Sequence, residues 1–399
     1  MQTLHYRTTD NFPESWWRRK KGITAAIFSH PERFRLQVIY TQIDRDEQQR
    51  PRFTDFHFRS RLGEYSYPAS TVKLPAAILT LEKLRMLNIP GLDLHSPLSI
   101  TALPGINPGV AEDRTARCGQ ASLAHYIKKI FLISDNDAYN RLYEFLGQET
   151  LNRRLWECGY PDIQLRHRVG IPLHEEANRR TNAFQFNRDG QIIYEQPAQF
   201  SQLAFTPRHD LAGNCHIDHK GNLEQCPMDF SIRNRLPLSN LHDIMKRIFF
   251  PELVTNTQRF RLTESDYQFL YRCMSQYPAA SADPVYDQQQ YHQAYVKFLL
   301  YGGQKDAVIP PSILIFNKPG WAYGFLTDSA YIVDLEKKIE FLLSATLYVN
   351  QDGVIGDDHY EFEETGKPFL QELGEMIYEV ESERPRKIMP DLSRYQPRV

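Results

Sequence analysis

The chain has little of what marks several large protein classes. No run approaches the ~20 apolar residues that a membrane-spanning helix needs. Cysteine is scarce, 5 residues in 399 with no CxxC pair, too few to frame a protein of this length with disulfides. Neither sign of charge dominates: Lys+Arg 47 against Asp+Glu 49 leaves a formal net charge of −2, which removes the electrostatic footprint of a nucleic-acid or anionic-membrane partner. Glycine (20) is outnumbered by proline (25), and no repeat or low-complexity segment is present. The first residues end in Trp16-Trp17-Arg18-Arg19-Lys20-Lys21 with no apolar stretch before them, so no secretory signal is read there. HExxH, GxSxG, P-loop and GxGxxG motifs are all missing, and with them support for metalloprotease, α/β-hydrolase or nucleotide chemistry. What is plentiful is aromatic: 22 Tyr and 23 Phe, the composition of a large packed protein rather than a disordered one.

Hydrophobic patterning predicts strands over 35–44 and 53–59, joined as a hairpin through 45–52. Helices are expected over 70–87, 122–132, 137–146, 151–158, 239–249, 264–276 and 289–301. Strands return over 312–317, 324–334 and 339–350, and an amphipathic helix over 365–380 closes the chain. Between 179 and 234 the sequence turns polar and aromatic, with a hairpin read around Lys220-Gly221. Centring it there sets Cys215 opposite Cys226, a pair of thiols or a disulfide; Cys215-His216…His219…Cys226 as a zinc site is the weaker reading. This order of two strands, many helices, three strands and a helix is how an α/β layer with an inserted helical part looks.

Three short motifs stand in order along these elements. Ser70-Thr71-Val72-Lys73 opens a helix, where an (i, i+3) spacing sets the hydroxyl and the amine on one face. A lysine there can take the serine's proton only when neutral, which requires burial or a neighbouring cation. By itself the pattern equally describes a helix-capping serine with a solvated lysine one turn on. Ser134-Asp135-Asn136 lies between two helices and could do no more than cap the second. Lys318-Pro319-Gly320 leaves a strand, offering a fixed charge followed by a residue that lets backbone come close.

Taken together and in this order, the motifs resemble the S-x-x-K, S-D-N and K-[TS]-G signature of the penicillin-recognising serine hydrolases, class A β-lactamases above all. The flanks share the likeness: Tyr67-Pro68-Ala69 before Ser70, Ile133 and Asp137-Ala138 around the second motif, Tyr323-Gly324-Phe325 through Ala330 after the third. Arg180-Thr181 resembles the pair that closes the family's Ω loop. The resemblance implies an α/β, β-lactamase/transpeptidase-like fold: an antiparallel five-stranded sheet with flanking N- and C-terminal helices and an inserted all-helical subdomain. The corresponding units are 24–66 with 306–385 (α/β), 67–305 (helical, with a polar and aromatic insertion at about 183–234), and terminal extensions 1–23 and 386–399. It also implies roles. Ser70 is the acylated nucleophile, Lys73 its base partner, and Ser134 a proton relay to the leaving nitrogen. Asn136 holds the substrate's amide side chain, Lys318 attracts its carboxylate, and Gly320 and the Trp321 backbone N–H complete an oxyanion hole with the Ser70 N–H. No cofactor or metal is implied. The substrate is a small β-lactam or a peptidoglycan-like peptide, the protein a monomer, and its location periplasmic or secreted.

Two departures stand out. Pro319 removes the hydroxyl that grips a substrate carboxylate, leaving Tyr323 or Thr327 to replace it. Arg and His occupy the place of the family's water-activating glutamate, and the nearest acids, Glu175 and Glu176, come late in the loop, with His174 beside them. Either a base has been relocated to these residues or they are solvated, and the acyl-enzyme persists as it does in a penicillin-binding protein or D-Ala-D-Ala-type peptidase. A non-catalytic module that uses Phe184, Phe186, Tyr194, Phe200 and Phe205 as an interaction surface is the rival outside enzymes.

Overall fold

The computed structural model describes residues 6–9, 12–60, 64–104 and 108–395. Of the two expected terminal extensions, residues 1–5, 10–11 and 396–399 lie outside the described residues. The chain opens with strand β1 (Tyr6–Thr9), helices α1 (Glu14–Trp17) and α2 (Ile23–Ser29), and the hairpin β2 (Gln37–Arg45) and β3 (Pro51–Phe58). A 3-10 turn over Ala69–Val72 runs into α3 (Lys73–Leu87), followed by β4 (Leu98–Thr101), α4 (Leu123–Ile133), α5 (Asn136–Leu146), α6 (Gln148–Glu157) and α7 (Glu175–Arg179). Next come β5 (Ala183–Arg188), β6 (Gln191–Gln196) and the short strands β7 (Leu211–Ala212), β8 (Cys215–Ile217), β9 (Leu223–Glu224) and β10 (Met228–Asp229). Helices α8 (Leu238–Phe249) and α9 (Glu264–Ser275) lead back to β11 (Ile313–Asn317), β12 (Gly320–Ala322), β13 (Phe325–Asp334), β14 (Ile339–Tyr348) and β15 (Val354–Ile355), and α10 (Lys367–Glu383) ends the fold.

The main sheet runs β1-β3-β2-β14-β13-β11, with β12 also on β13. Its five central strands are antiparallel as expected, and β1 adds a parallel neighbour to β3. Strands β13 and β14 are buried along all ten residues because both faces are covered. Odd-numbered β14 residues such as Phe341 and Leu343 pack with α2 and α10 through Phe28, Phe369 and Leu373. The opposite face, with Tyr331 and Leu342, meets α8 and the helical part. Helix α3 is buried on every side from Lys73 to Glu82, with Leu74, Ala77, Ile78 and Leu81 in the core, which is the pattern of a central helix. Asn88 ends it in the left-handed conformation at φ 47°, a position this residue type tolerates.

Three expectations change. The inserted part is not purely helical: β4, β5 and β6 form a sheet of their own. It turns Phe184 and Phe186 into the core against Phe145, with centroids 5.8 and 5.6 Å apart, so these rings are no interaction surface. Residues 289–301 form turns rather than a helix, because the buried Lys297 ammonium takes its acceptors from Met274, Ile315 and Asn317. Finally, the 215–226 hairpin pairs His216 with Glu224 and Ile217 with Leu223. A loop closed by Asp218 N–H donating to the Asn222 carbonyl, 2.9 Å, shifts the register by one, and Cys215 is no longer opposite Cys226. Both cysteines are free, and no group of three metal-ligating side chains occurs among the described residues.

Candidate active site

The turn before α3 brings Ser70 to the edge of the sheet. Ala69 sits at φ 45°, and Ser70 is half-buried while Thr71, Val72 and Lys73 are buried. The Ser70 hydroxyl caps no helix, so the capping reading of this serine fails. Facing it is β12. A Cβ on Gly320 would lie 2.7 Å from Pro68 O, 2.7 Å from Ser70 N and 2.8 Å from Thr71 N. Only a glycine lets this strand approach the serine's own backbone so closely.

The second motif divides its labour. Asp135 does the capping, accepting from Ala138 N at 2.8 Å, while Ser134, at φ 59°, and Asn136 turn to the lysines. The Lys73 ammonium donates to Ser134 O, to Asn136 Oδ1 at 2.7 Å and to Ser134 Oγ at 3.3 Å. From the other side Lys318 Nζ donates to Ser134 Oγ at 2.9 Å and to the Pro319 carbonyl at 2.8 Å. Ser134 thus bridges two lysines that are each 0% exposed, and neither forms an ion pair with a described residue. Burial, partly opposed by Asp135, lowers the Lys73 amine to about 7. Burial and the nearby Lys73 and Lys297 charges hold Lys318 well below its ordinary value, against the pull of Asp328. Like charges this close resist sharing two protons, so near neutral pH one lysine of the pair is free to accept. Asn317 backs the pair, donating to Asp328 at 2.9 and 3.0 Å while accepting from Lys297 at 2.8 Å.

The Trp321 ring is half-buried against Phe298, 5.2 Å away, and its backbone follows Gly320 along β12, opposite Leu326. The Thr327 hydroxyl is bonded to Thr346 at 2.7 Å and buried, so it is already engaged. Tyr323 stands with Tyr67 and Phe230, at 5.3 and 5.7 Å. Phe230 is fully buried, which makes one ring of the polar insertion part of the wall beside the 3-10 turn.

The loop before α7 is pinned from below by α5. Asn140 bonds both backbone groups of Val169, at 2.9 and 3.0 Å. Arg168 pairs with Glu144 at 3.2 Å, both side chains 0% exposed, and spends its other N–H groups on the carbonyls of Ala177 and Arg180. The arginine that closes this loop is therefore Arg168. Arg180 pairs outward with Glu176. Glu175 is held by Arg166 and Arg179 at 3.1 and 3.0 Å, and His174 is exposed. None of these three bonds to Ser70, Lys73, Ser134 or Lys318. His167 is half-buried, its Nδ1 on the Arg168 carbonyl at 2.5 Å and its Nε2 accepting from Asn234 N at 3.1 Å. Burial lowers it to about 4, and the network assigns the neutral tautomer with both nitrogens used. Gly170, at φ 71°, lies so near Asn136 that a Cβ would meet its Nδ2 at 2.6 Å.

The sequence reading did not anticipate Asn140, Glu144, Arg168, Asn317, Asp328 or Lys297. An acid and an amide on the otherwise apolar face of α5 were the one legible signal. Of the expected site residues, the structure brings together Ser134, Asn136, Lys73 and Lys318 and sets Gly320 against Ser70.

Residues 23–202 match the model of the Beta-lactamase enzyme family, a stretch that holds Ser70, Lys73, Ser134 and Asn136. Among solved structures it is similar to a β-lactamase from Burkholderia phymatum, with TM-score 0.47 and 13% identity over 89% of this chain and 94% of that one. A structure of PBP-A gives TM-score 0.46 and 15% identity over 95% and 98%. A β-lactamase from Sphaerobacter thermophilus DSM 20745 gives 0.47 and 11% over 91% and 98%. No curated protein matches the sequence.

Proposed function

We propose that the protein is a serine hydrolase that forms an acyl-enzyme on Ser70 with a β-lactam or a peptidoglycan-like amide. The observation that carries this is the Ser134 hydroxyl held between Lys73 and Lys318 beside a serine whose backbone is clasped by Gly320. In this reading neutral Lys73 takes the Ser70 proton as Oγ attacks the amide carbon. The Ser70 and Trp321 N–H groups receive the developing oxyanion, each such donor contributing roughly 3–4 kcal/mol. Ser134 passes a proton to the leaving nitrogen, and Lys318 replenishes it.

Water activation has weaker support. The loop's acids are tied to arginines, and His167 has no free nitrogen. This favours slow deacylation, the behaviour of a penicillin-binding protein, over rapid turnover. Intact-mass measurement after exposure to benzylpenicillin tests both steps. A lasting adduct that Ser70→Ala abolishes supports the reading, and turnover of a chromogenic cephalosporin would shift it to a lactamase. Complete inertness of the wild type would sink it. From the substrate class alone we infer a location outside the cytoplasmic membrane, to be checked by cell fractionation.

A further inference from the structure

Ten residues beyond Lys73, the same helix carries a second lysine in an unusual setting. Lys83 Nζ donates to the Phe145 carbonyl and to Gln196 Oε1, the latter at 2.6 Å, and lies 4.3 Å from the centre of the Phe145 ring. It forms no ion pair with a described residue. The carboxylates nearby are committed elsewhere: Glu82 to Arg154 and the Arg261 N–H, Glu157 also to Arg154. Arg153, at the rim, pairs with Glu149. Gln196 is itself 2% exposed, and its Nε2 is buried with no partner. Turning that amide over would set its NH2 against the Lys83 ammonium, so the orphan donor is forced by the lysine. The result is an amide donor without an acceptor beside a lysine without a counter-charge.

Beside Lys83 lies a cavity of about 480 Å³ whose walls include Leu79, Met86, Leu87 and Leu146, a size within the ~300–1,000 Å³ of small-molecule sites. Met86 is 59% exposed at its mouth. We propose that this cavity binds a free medium-chain aliphatic carboxylate, with its head on Lys83 and its hydrocarbon along Leu79, Leu87 and Leu146. An anion supplies the counter-charge that Lys83, which lines the cavity, lacks, and the chain removes apolar wall from water. The site lies apart from Ser70 and does not depend on the reading of that site.

Burial alone holds the Lys83 amine down to about 7. A bound carboxylate favours its charged form, so binding draws in a proton and weakens as pH rises from 7 toward 9. Calorimetric titration of the full chain with octanoate, octanol and octylamine is the test. Octanoate is expected to saturate one site, about tenfold or more tighter than octanol, with octylamine inert. Lys83→Met should lose about tenfold or more for octanoate and little for octanol, and Lys83→Arg should keep most of the affinity. Equal binding of octanol and octanoate, an unaffected Lys83→Met, or no saturation by about 5 mM octanoate would each overturn the proposal. Should Lys83→Met not fold, the wild-type comparison of the three ligands decides.

Discussion

Gly320→Ala is the substitution whose consequence follows most directly from geometry. The new methyl would sit 2.7–2.8 Å from three atoms, Pro68 O, Ser70 N and Thr71 N. All three are backbone, so no side-chain rotation relieves the contact. Restoring an ordinary 3.4 Å separation requires a displacement of about 0.7 Å between β12 and the 3-10 turn. Both partners are anchored, β12 by its pairing with β13 and the turn by Thr71 N–H and Oγ1 on the Pro68 carbonyl at 3.0 and 2.7 Å. The movement therefore falls on the Ser70 N–H and the Trp321 N–H, the two groups proposed to receive the oxyanion. Misplacing or losing one such donor costs roughly 10²–10³-fold in rate. The assay is the second-order rate of Ser70 acylation by a reporter penicillin, measured by quenched intact mass, with circular dichroism to confirm folding. Folded Gly320→Ala acylating at the wild-type rate would refute the reasoning.

Other outcomes follow from the same contacts. Because the neutral Lys73 amine is the proposed base and burial sets it near 7, the acylation rate should rise as pH increases through about 7 and level off above it; a flat profile from pH 5.5 to 8.5 would speak against that role. Arg168→Met leaves the Glu144 carboxylate buried without its partner and should destabilise the protein by about 3–5 kcal/mol in urea titration. Phe230→Ala removes a fully buried ring that touches Tyr65, Tyr67 and Tyr323; about 3–5 kcal/mol of stability should be lost, together with slower acylation as Tyr323 loosens. Asp135→Ala deletes a helix cap and should cost about 1 kcal/mol, a small effect beside the others.

The sheet and the helices around the motifs were legible because their patterns are local. The strand Phe325–Asp334 reads as a strand even though Thr327, Asp328 and Ser329 interrupt it. Those three polar residues are satisfied by Thr346, Asn317 and Ser344, partners on neighbouring strands that only the tertiary fold supplies. The motif lysines were legible as types, while the reason they can act, complete burial around Ser134, lies in packing. The strand Ala183–Arg188 was passed over although Phe184 and Phe186 alternate with Gln185 and Asn187, a period-two signal hidden by the polar residues around it. Residues 289–301 carry the opposite lesson. An apolar run with helical spacing is overridden when its one lysine is drawn into the interior and the backbone follows it.

The loop before α7 shows why motif matching and mechanism can part. Apart from the exposed His174, each group in it that could activate water is already engaged. Arg168 neutralises Glu144 beneath the loop, surface arginines hold Glu175 and Glu176, and His167 uses one nitrogen as donor and the other as acceptor. Freeing any of these engaged groups breaks a contact within the loop, so none of them is recruited as a base without loosening the wall that meets Asn136. The acylation half of the site has no such conflict: Lys73 and Lys318 are both bound to Ser134 rather than to the scaffold's ion pairs. On the proposed reading the two halves of the reaction are therefore separable, with formation of the acyl-enzyme supported by the geometry and its hydrolysis left to unassisted water.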